Sequence, residues 1–195
     1  MNKIFNLFIL TVIFFFNISS LSCQILITNR SFEGQIADAT MPSGWFSQSE
    51  GTTPDILPGY WGVYLEPEDG DSYVGLITRG DGSFESIGQR LSHPLSNEHC
   101  YQFSIDLSFS DNYSGYNNPL FLKIWISNKR GHRQQLIYKS PKIDHLEWKT
   151  YNVEFIPAEI SQYIIIEAFI SDERIPYKGN ILLDNMSHIS NCNRA

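Results

Sequence analysis

Residues 58–91 combine two kinds of side chain that take part in binding chemistry, aromatic rings and carboxylates. Tyr60, Trp61 and Tyr64 come first, and the acidic run "EPEDGD" follows at residues 66–71. Flat aromatic faces stack on the apolar side of a sugar ring, whereas closely spaced carboxylates suit a metal ion. The segment therefore suggests three interpretations: a sugar platform, a metal loop or the lid of a hydrophobic core.

The acidic run lacks the full twelve-residue pattern, with its terminal Glu, of a helix–loop–helix calcium site. It is interpreted as a solvated turn in front of a strand that begins at Tyr73. The two segments that follow, "SYVGLIT" at residues 72–78 and "ESIGQRL" at residues 85–91, are predicted to be paired strands.

Residues 100–110 alternate strictly between apolar and polar side chains. Ile105 and its alternate neighbours form one face, and Gln102, Ser104 and Asp106 lie on the other. A period of two is typical of a strand with one buried face. Residues 120–127 repeat the pattern, with Lys123 and Trp125 on the polar face.

Shorter alternating runs occur at residues 134–140, 148–155, 163–171 and 180–189, with turn-forming residues between them. Strands with one apolar face each must bury it against a second sheet. The chain is therefore predicted to be all-β, an antiparallel two-sheet β-sandwich of jelly-roll topology. Residues 24–192 are expected to form a single domain.

The N-terminus has the layout of a secretory signal, with a cation, an apolar run over residues 4–16 and then small polar residues. Residues 1–22 are the predicted signal peptide, although cleavage after Cys23 is an alternative. The apolar run is too short for a transmembrane span. The protein is therefore expected to be secreted, periplasmic or at the cell surface, and a lipid anchor on Cys23 is the second interpretation.

Cys100 and Cys192 are the two cysteines certain to remain after cleavage. In an oxidising compartment we expect them to form a disulfide that closes a loop of about 90 residues. Two buried thiols are the alternative.

The formal net charge of −7 argues against a nucleic-acid partner, because counterion release requires a basic surface. The basic cluster "NKRGHR", residues 128–133, is interpreted as a polar hairpin tip. The five histidines have no metal-ligand spacing, and no nucleophile motif is present. Paired carboxylates for glycoside hydrolysis leave no linear trace, but no catalytic role is expected.

Several motifs occur in an order that belongs to one fold family: "NRSFEG" from Asn29, Trp45, "GDSYVGL", "IGQRLSHPL" and a closing "LLDN". Together they resemble the galactose-binding-like jelly rolls, and within these the carbohydrate-binding modules of bacterial secreted glycanases. The resemblance covers residues 27–189, and the order and spacing of the motifs carry its specificity.

The resemblance implies a structural calcium ion near the first and last strands. Glu33 and Asp184 match the family's metal-binding carboxylates, and Asp71 or Asp69 of the acidic run is the expected third donor. The alternative is that Glu33 accepts hydrogen bonds from nearby amides, while Asp184 pairs with a Lys or Arg.

The resemblance also implies a glycan or polysaccharide ligand, for which two surfaces are candidates. One is the outer face of the sheets and the other is the loop rim, whereas Trp45 is expected to pack in the core. The predicted ligand-binding residues are Trp125, Lys123, Trp61, Tyr64, Asp106 and Gln102, with Tyr113 and Tyr116 as further rim aromatics.

These observations predict a secreted, non-catalytic carbohydrate-binding module that binds a glycan by aromatic stacking on a calcium-stabilised jelly roll. The alternative is a cell-surface adhesion or assembly module that contacts another protein, with the aromatic side chains as interface anchors.

Overall fold

The computed structural model describes residues 24–171 and 175–192, so the predicted signal peptide and Cys23 lie outside the described residues. No helix of the described residues has the length and apolar character needed to cross a membrane. The described strands are β1 (Phe46–Ser47), β2 (Asp55–Leu57), β3 (Tyr73–Thr78), β4 (Ser86–Leu95), β5 (Tyr101–Ser108), β6 (Asn118–Pro119), β7 (Phe121–Ser127), β8 (Gln135–Lys139), β9 (Lys149–Phe155), β10 (Ser161–Phe169), β11 (Gly179–Asp184) and β12 (Ser190–Asn191).

The strands form the two sheets that the β-sandwich prediction requires. The five-stranded sheet has the order β1-β4-β10-β7-β8. The seven-stranded sheet has the main path β12-β5-β11-β3-β2, with β9 paired to β5 and β6 paired to β11. Apart from the parallel β6–β11 pair, the strand pairs named here are antiparallel.

The core between the sheets follows from the alternation of the two most regular strands. Ile105 and Leu107 of β5 and Ile124 and Ile126 of β7 are fully buried in one cluster. Each such side chain contributes about 1.5–3 kcal/mol through its burial. The predicted inward faces of both strands are therefore confirmed.

A second, smaller apolar cluster covers part of the outer face of the seven-stranded sheet. Val63 and Tyr113 reach it from loops and pack on Tyr73 and Leu182 of the sheet. Strand β3 is consequently buried on both faces. Val63, which belongs to residues 58–91, therefore acts as part of a lid over β3. Tyr113 was predicted to be a rim aromatic, but it is fully buried.

The prediction that residues 72–78 pair with residues 85–91 is wrong, because β3 and β4 belong to different sheets. Glu85 lies at the crossover between the sheets. Its N–H donates to the carbonyl of Ile77 in β3, and its carbonyl accepts the N–H of Ala168 in β10. One residue thus joins both sheets, and only an isolated bridge between Thr78 and Phe84 remains of the expected hairpin.

The first segment after the predicted signal, "QILIT", forms no extended strand in the described structure. Ile25 makes an isolated antiparallel bridge to Ile189. Ile25 and Ile27 nevertheless pack in the main core.

The predicted disulfide between Cys100 and Cys192 is present, with 5.3 Å between the two Cα atoms. The N–H of Cys192 also donates to the carbonyl of Cys100 at 3.0 Å. The bridge therefore ties the start of β5 to the end of the chain just after β12.

Candidate ligand-binding face

The outer face of the five-stranded sheet carries the side chains that alternate with its core residues. Lys123 and Trp125 of β7 are half-buried there, whereas Ile124 and Ile126 point into the core. We call this surface the Trp125 face. It comprises Phe46, Gln48, Ser86, Phe121, Lys123, Trp125, Tyr163, Ile165, Glu167 and Phe169.

An apolar row crosses the middle of the Trp125 face. Trp125 lies opposite Ile165 of β10, and Ile165 lies opposite Gly88 of β4. The ring of Phe46 covers Gly88, since a Cβ at that position would be 2.7 Å from the Phe46 ring. Ile165 is fully buried, so the rings of Trp125 and Phe46 stand on either side of it.

A polar row lies beside the apolar one. Ser86 of β4 is opposite Glu167 of β10, and Glu167 is opposite Lys123 of β7. Glu167 is only 5% exposed, and burial raises the pKa of its carboxyl group, while the charges of Arg133 and Lys123 lower that pKa. The face therefore holds a carboxylate that depends on nearby cations.

The hairpin between β7 and β8, residues 128–134, folds back over this face. Arg133 forms an ion pair with Glu167 and donates to the hydroxyl of Ser49 at 2.8 Å. The guanidinium carbon of Arg130 lies 4.2 Å from the centre of the Phe46 ring. The basic cluster forms the predicted polar hairpin tip, and two of its arginines also contact the Trp125 face.

Lys123 also interacts with the aromatic rings of the face. Its ammonium nitrogen lies 3.3 Å from the centre of the Phe169 ring and 6.0 Å from the Trp125 ring. A cation over a ring face is attracted by the ring quadrupole. The cation is therefore held beside the aromatic surface on which a ligand ring would stack.

Several buried polar atoms of this face have no protein hydrogen-bond partner. They are Nε1 of Trp125, both side-chain polar atoms of Gln48 and Oγ of Ser86. The fifth such atom in the described part of the chain is Oδ1 of Asp106, on the other sheet. Because most buried polar groups in proteins are paired, these atoms call for partners from outside the chain, which ordered water or the polar groups of a ligand would supply.

The loop rim holds the predicted residues Trp61 and Tyr64, on the seven-stranded sheet. Tyr64 is 72% exposed, and Trp61 is about half exposed. Trp61 lines a pocket together with Asp55, and the Asp55 carboxylate accepts a hydrogen bond from the hydroxyl of Tyr113. Burial raises the pKa of the Asp55 carboxyl group, and this hydrogen bond lowers it. Trp61 therefore serves the local packing of the rim as well as its surface.

The outward face of β5 forms a polar groove of about 380 Å³ in the seven-stranded sheet. Gln102 lies opposite Glu154 of β9, and Ser104 lies opposite Asn152. Asp106 is almost fully buried, and its Oδ2 accepts a hydrogen bond from a side-chain amide at 2.8 Å. The groove is mainly polar, and Phe103 is the one aromatic residue in its lining.

The predicted ligand-binding residues consequently lie in three places. Lys123 and Trp125 share one face of the five-stranded sheet. Gln102 and Asp106 lie on the outer face of the opposite sheet, and Trp61 and Tyr64 lie on its loops. They do not form one site.

Asp184, one of the predicted calcium ligands, is fully buried at the end of β11. Its Oδ2 accepts the N–H groups of Glu68 and Asp69 at 2.8 and 3.0 Å, and its Oδ1 accepts the N–H of Asn185. Burial raises the pKa of its carboxyl group to about 6, although these hydrogen bonds lower it.

Glu33 approaches the same acidic loop from its other end. Its carboxylate accepts the N–H of Asp71 at 3.1 Å and the hydroxyl of Ser72 at 3.2 Å. It lies directly over Gly70, where a Cβ would stand 1.9 Å from Oε1. Asp71 therefore contributes a backbone N–H to this arrangement.

The cationic side chain at this corner is Arg30. It donates to Oδ1 of Asn185 and the carbonyl of Met186, and it pairs with Asp69 at 3.3 Å. In the described part of the chain, three acidic, His or Cys ligand atoms do not come within 4.8 Å of one another at this corner. Two of the predicted carboxylates, Glu33 and Asp184, thus reach one loop, and further calcium ligands would be neutral oxygens such as backbone carbonyls, side-chain amides or water.

Sequence reasoning missed Glu167, Arg133 and Phe46. Glu167 is a single acid in the apolar run "YIIIEAFI", as Asp184 is a single acid after the apolar "ILL". Arg133 lay in a recognised basic cluster, but a hairpin that folds back over a sheet leaves no periodic pattern. Phe46 belongs to a strand of two residues, which is too short for alternation to detect.

Similar folds occur among solved structures. The arabinose-bound α-L-arabinofuranosidase matches with a TM-score of 0.60 at 13% identity, over 87% of this chain and 27% of that one, so the chain spans about a quarter of that enzyme's length. The Stig cyclase FisC from Fischerella sp. TAU has a TM-score of 0.59 at 13% identity, covering 89% of this chain and 100% of the cyclase. The xylan-binding domain CBM22-1 from Paenibacillus barcinonensis has a TM-score of 0.54 at 15% identity, covering 85% of this chain and 94% of that domain.

No protein-family model and no curated protein matches the chain. The structural similarities show the fold: a jelly-roll β-sandwich of the kind that carbohydrate-binding modules have. Because the identities are low, the similarities extend to the architecture alone.

Proposed function

We propose that this protein is a non-catalytic glycan-binding module whose ligand lies on the Trp125 face. The observation that carries the proposal is the combination of half-buried aromatic rings with unpaired buried polar atoms on that one surface. A sugar offers both an apolar ring face and hydroxyl groups, so it complements both features. The xylan-binding domain with the same fold supports this ligand class.

In this proposal a sugar ring packs against Trp125, above the buried Ile165. The indole N–H of Trp125, the side-chain amide of Gln48 and the hydroxyl of Ser86 are buried in the free protein, and they exchange hydrogen bonds with sugar hydroxyls once the side chains above them move aside. Pairing these groups removes the cost of leaving them buried without partners, which is about 1–3 kcal/mol for each. The binding free energy therefore comes from hydrogen bonds to these polar groups as well as from stacking on the aromatic rings.

The test is affinity electrophoresis and a glycan array with the wild type, Trp125→Ala and Tyr64→Ala. Tyr64 is the matched control, because it is an exposed aromatic residue on the other sheet. We expect Trp125→Ala to weaken binding at least about tenfold and Tyr64→Ala to leave it unchanged. Failure to bind any glycan would contradict the proposal, and equal losses in the two variants would contradict the assigned face.

The proposal assigns no reaction to the protein. Release of reducing sugar from a bound polysaccharide would contradict its non-catalytic part. Capture of a defined cell-surface protein without retention on any glycan would instead favour the adhesion or assembly alternative.

A calcium ion held by Glu33 and Asp184 is part of the same proposal. Two carboxylates approach one loop, and burial makes the charged form of Asp184 costly. Calcium would supply the positive charge that stabilises both groups, with backbone oxygens completing its ligands. We further propose that residues 1–22 direct the protein out of the cytoplasm, which agrees with the Cys100–Cys192 disulfide.

A further inference from the structure

The Trp125 face is basic, although the chain as a whole has a formal net charge of −7. Five cationic side chains reach it. Lys123, Arg90 and Lys139 come from its strands, and Arg130 and Arg133 come from the hairpin that folds over it. A local excess of positive charge on an acidic protein attracts anionic ligands to that surface.

Glu167 is the carboxylate among these cations, and its ion pair engages one of them, Arg133. Arg130 packs over Phe46, and Lys123 packs over Phe169. Cation–π contacts leave the charge in place, so both groups remain able to attract an anion. The arginine and lysine positions also bracket Trp125, on which the sugar is proposed to stack.

We propose that the ligand of this face is an anionic glycan, a polysaccharide that carries carboxylate or sulfate groups; this inference rests on the proposed function. Guanidinium groups bind planar carboxylates and sulfates through two parallel hydrogen bonds, which selects Arg for this role. Arg133 is 29% exposed and therefore lies within reach of a ligand. When an acidic sugar stacks on Trp125, its anionic group takes the place of the Glu167 carboxylate as the partner of Arg133 and Lys123.

The experiment uses two matched pairs of glycans in isothermal titration with the wild-type protein. The first pair is polygalacturonate and its fully methyl-esterified form, and the second is dextran sulfate and dextran. We expect the anionic member of at least one pair to bind at least about tenfold more tightly. The pair that shows the difference distinguishes carboxylate from sulfate recognition. Affinity should fall as NaCl rises from about 0.05 M to about 0.5 M.

Three variants locate the effect. Arg133→Gln and Lys123→Gln should each weaken binding of the anionic glycan about tenfold, whereas Glu167→Gln should strengthen it, because a competing negative charge is lost. Lys149→Gln, a charge on the other sheet, is the control and should have no effect. Thermal melting checks that each variant is folded. A loss of stability could not weaken glycan binding in two variants and strengthen it in the third.

Equal affinity for the charged and neutral members would overturn this inference. So would binding of neutral glycans alone, or anion binding that Arg133→Gln leaves unchanged, and the proposed function would survive these results. If no glycan of any charge binds, the proposed function fails together with the inference.

Discussion

Arg133 and Glu167 form an ion pair that joins the hairpin between β7 and β8 to the centre of β10. The Glu167 side chain is 7% exposed and the Arg133 side chain 29%, so the pair is largely shielded from water. It therefore fixes the hairpin over the face on which we place the ligand.

Glu167→Gln should lower the free energy of unfolding by about 1–3 kcal/mol, because Arg133 loses its counter-charge in a partly desolvated position. Urea denaturation at pH 7 measures the change. Glu147→Gln removes the exposed carboxylate of the Glu147–Lys149 pair and should leave stability unchanged. Equal effects of the two substitutions would show that the Arg133–Glu167 pair contributes no more than a surface pair.

The crossover residue Glu85 provides a prediction about pH. It is 1% exposed, and its carboxylate accepts hydrogen bonds from Arg79 at 2.7 Å and from the N–H of Thr53 at 3.0 Å. Burial raises the pKa of Glu85 above its ordinary value of 4.5. The folded state thus binds this proton more tightly than the unfolded state, and the contribution of Glu85 to stability decreases as pH rises through that raised pKa.

Arg79→Met should raise this pKa further and lower stability at pH 7 by about 1–3 kcal/mol. The deficit should shrink as pH falls through the raised folded-state pKa of Glu85 and be smallest by pH 4.5, because the protonated carboxyl group no longer needs a cation. Denaturation midpoints across the pH range measure it, with Arg90→Met on the outside of β4 as the control. A deficit that is constant with pH would contradict the role assigned to Arg79.

Calcium should raise the thermal midpoint, because a ligand that binds only the folded state stabilises it. Melting in calcium and in chelator measures the effect, and Asp184→Asn should remove most of it. An unchanged wild-type midpoint would contradict the calcium proposal.

The disulfide should stabilise the domain mainly by restricting the unfolded chain. It closes a loop with a sequence separation of 92, for which the chain-entropy model gives about 4–5 kcal/mol. Replacing both Cys100 and Cys192 by Ser should therefore lower the urea midpoint strongly without changing the far-ultraviolet circular dichroism spectrum. A loss below about 1 kcal/mol would contradict this account.

The sequence was sufficient to predict the sandwich, the inward faces of β5 and β7 and the Cys100–Cys192 bridge. These features depend on alternation and on pairing of two cysteines, which a linear pattern records. The sheet to which β4 belongs was not predictable from its pattern, because Glu85 turns the chain between sheets through hydrogen bonds with distant residues. The burial of Tyr113 likewise depends on Asp55, far away in the sequence.

The ligand-binding face was likewise predictable from the sequence only in part. Alternation placed Trp125 and Lys123 on an outer face, but it could not tell that Gln102 and Asp106 lie on the opposite sheet. Arg133 reaches the face because its hairpin folds back onto Glu167. The two residues are 34 positions apart in the sequence, and no local pattern encodes such a contact.

The central claim, that the Trp125 face binds a glycan, is tested most directly by mapping backbone and indole amide resonances during titration with an oligosaccharide that the array identifies. The chemical-shift changes should concentrate at the Trp125 indole N–H, Lys123, Glu167 and residues 128–134. Shifts confined to the groove around Gln102 and Ser104, or to the rim at Trp61 and Tyr64, would contradict it.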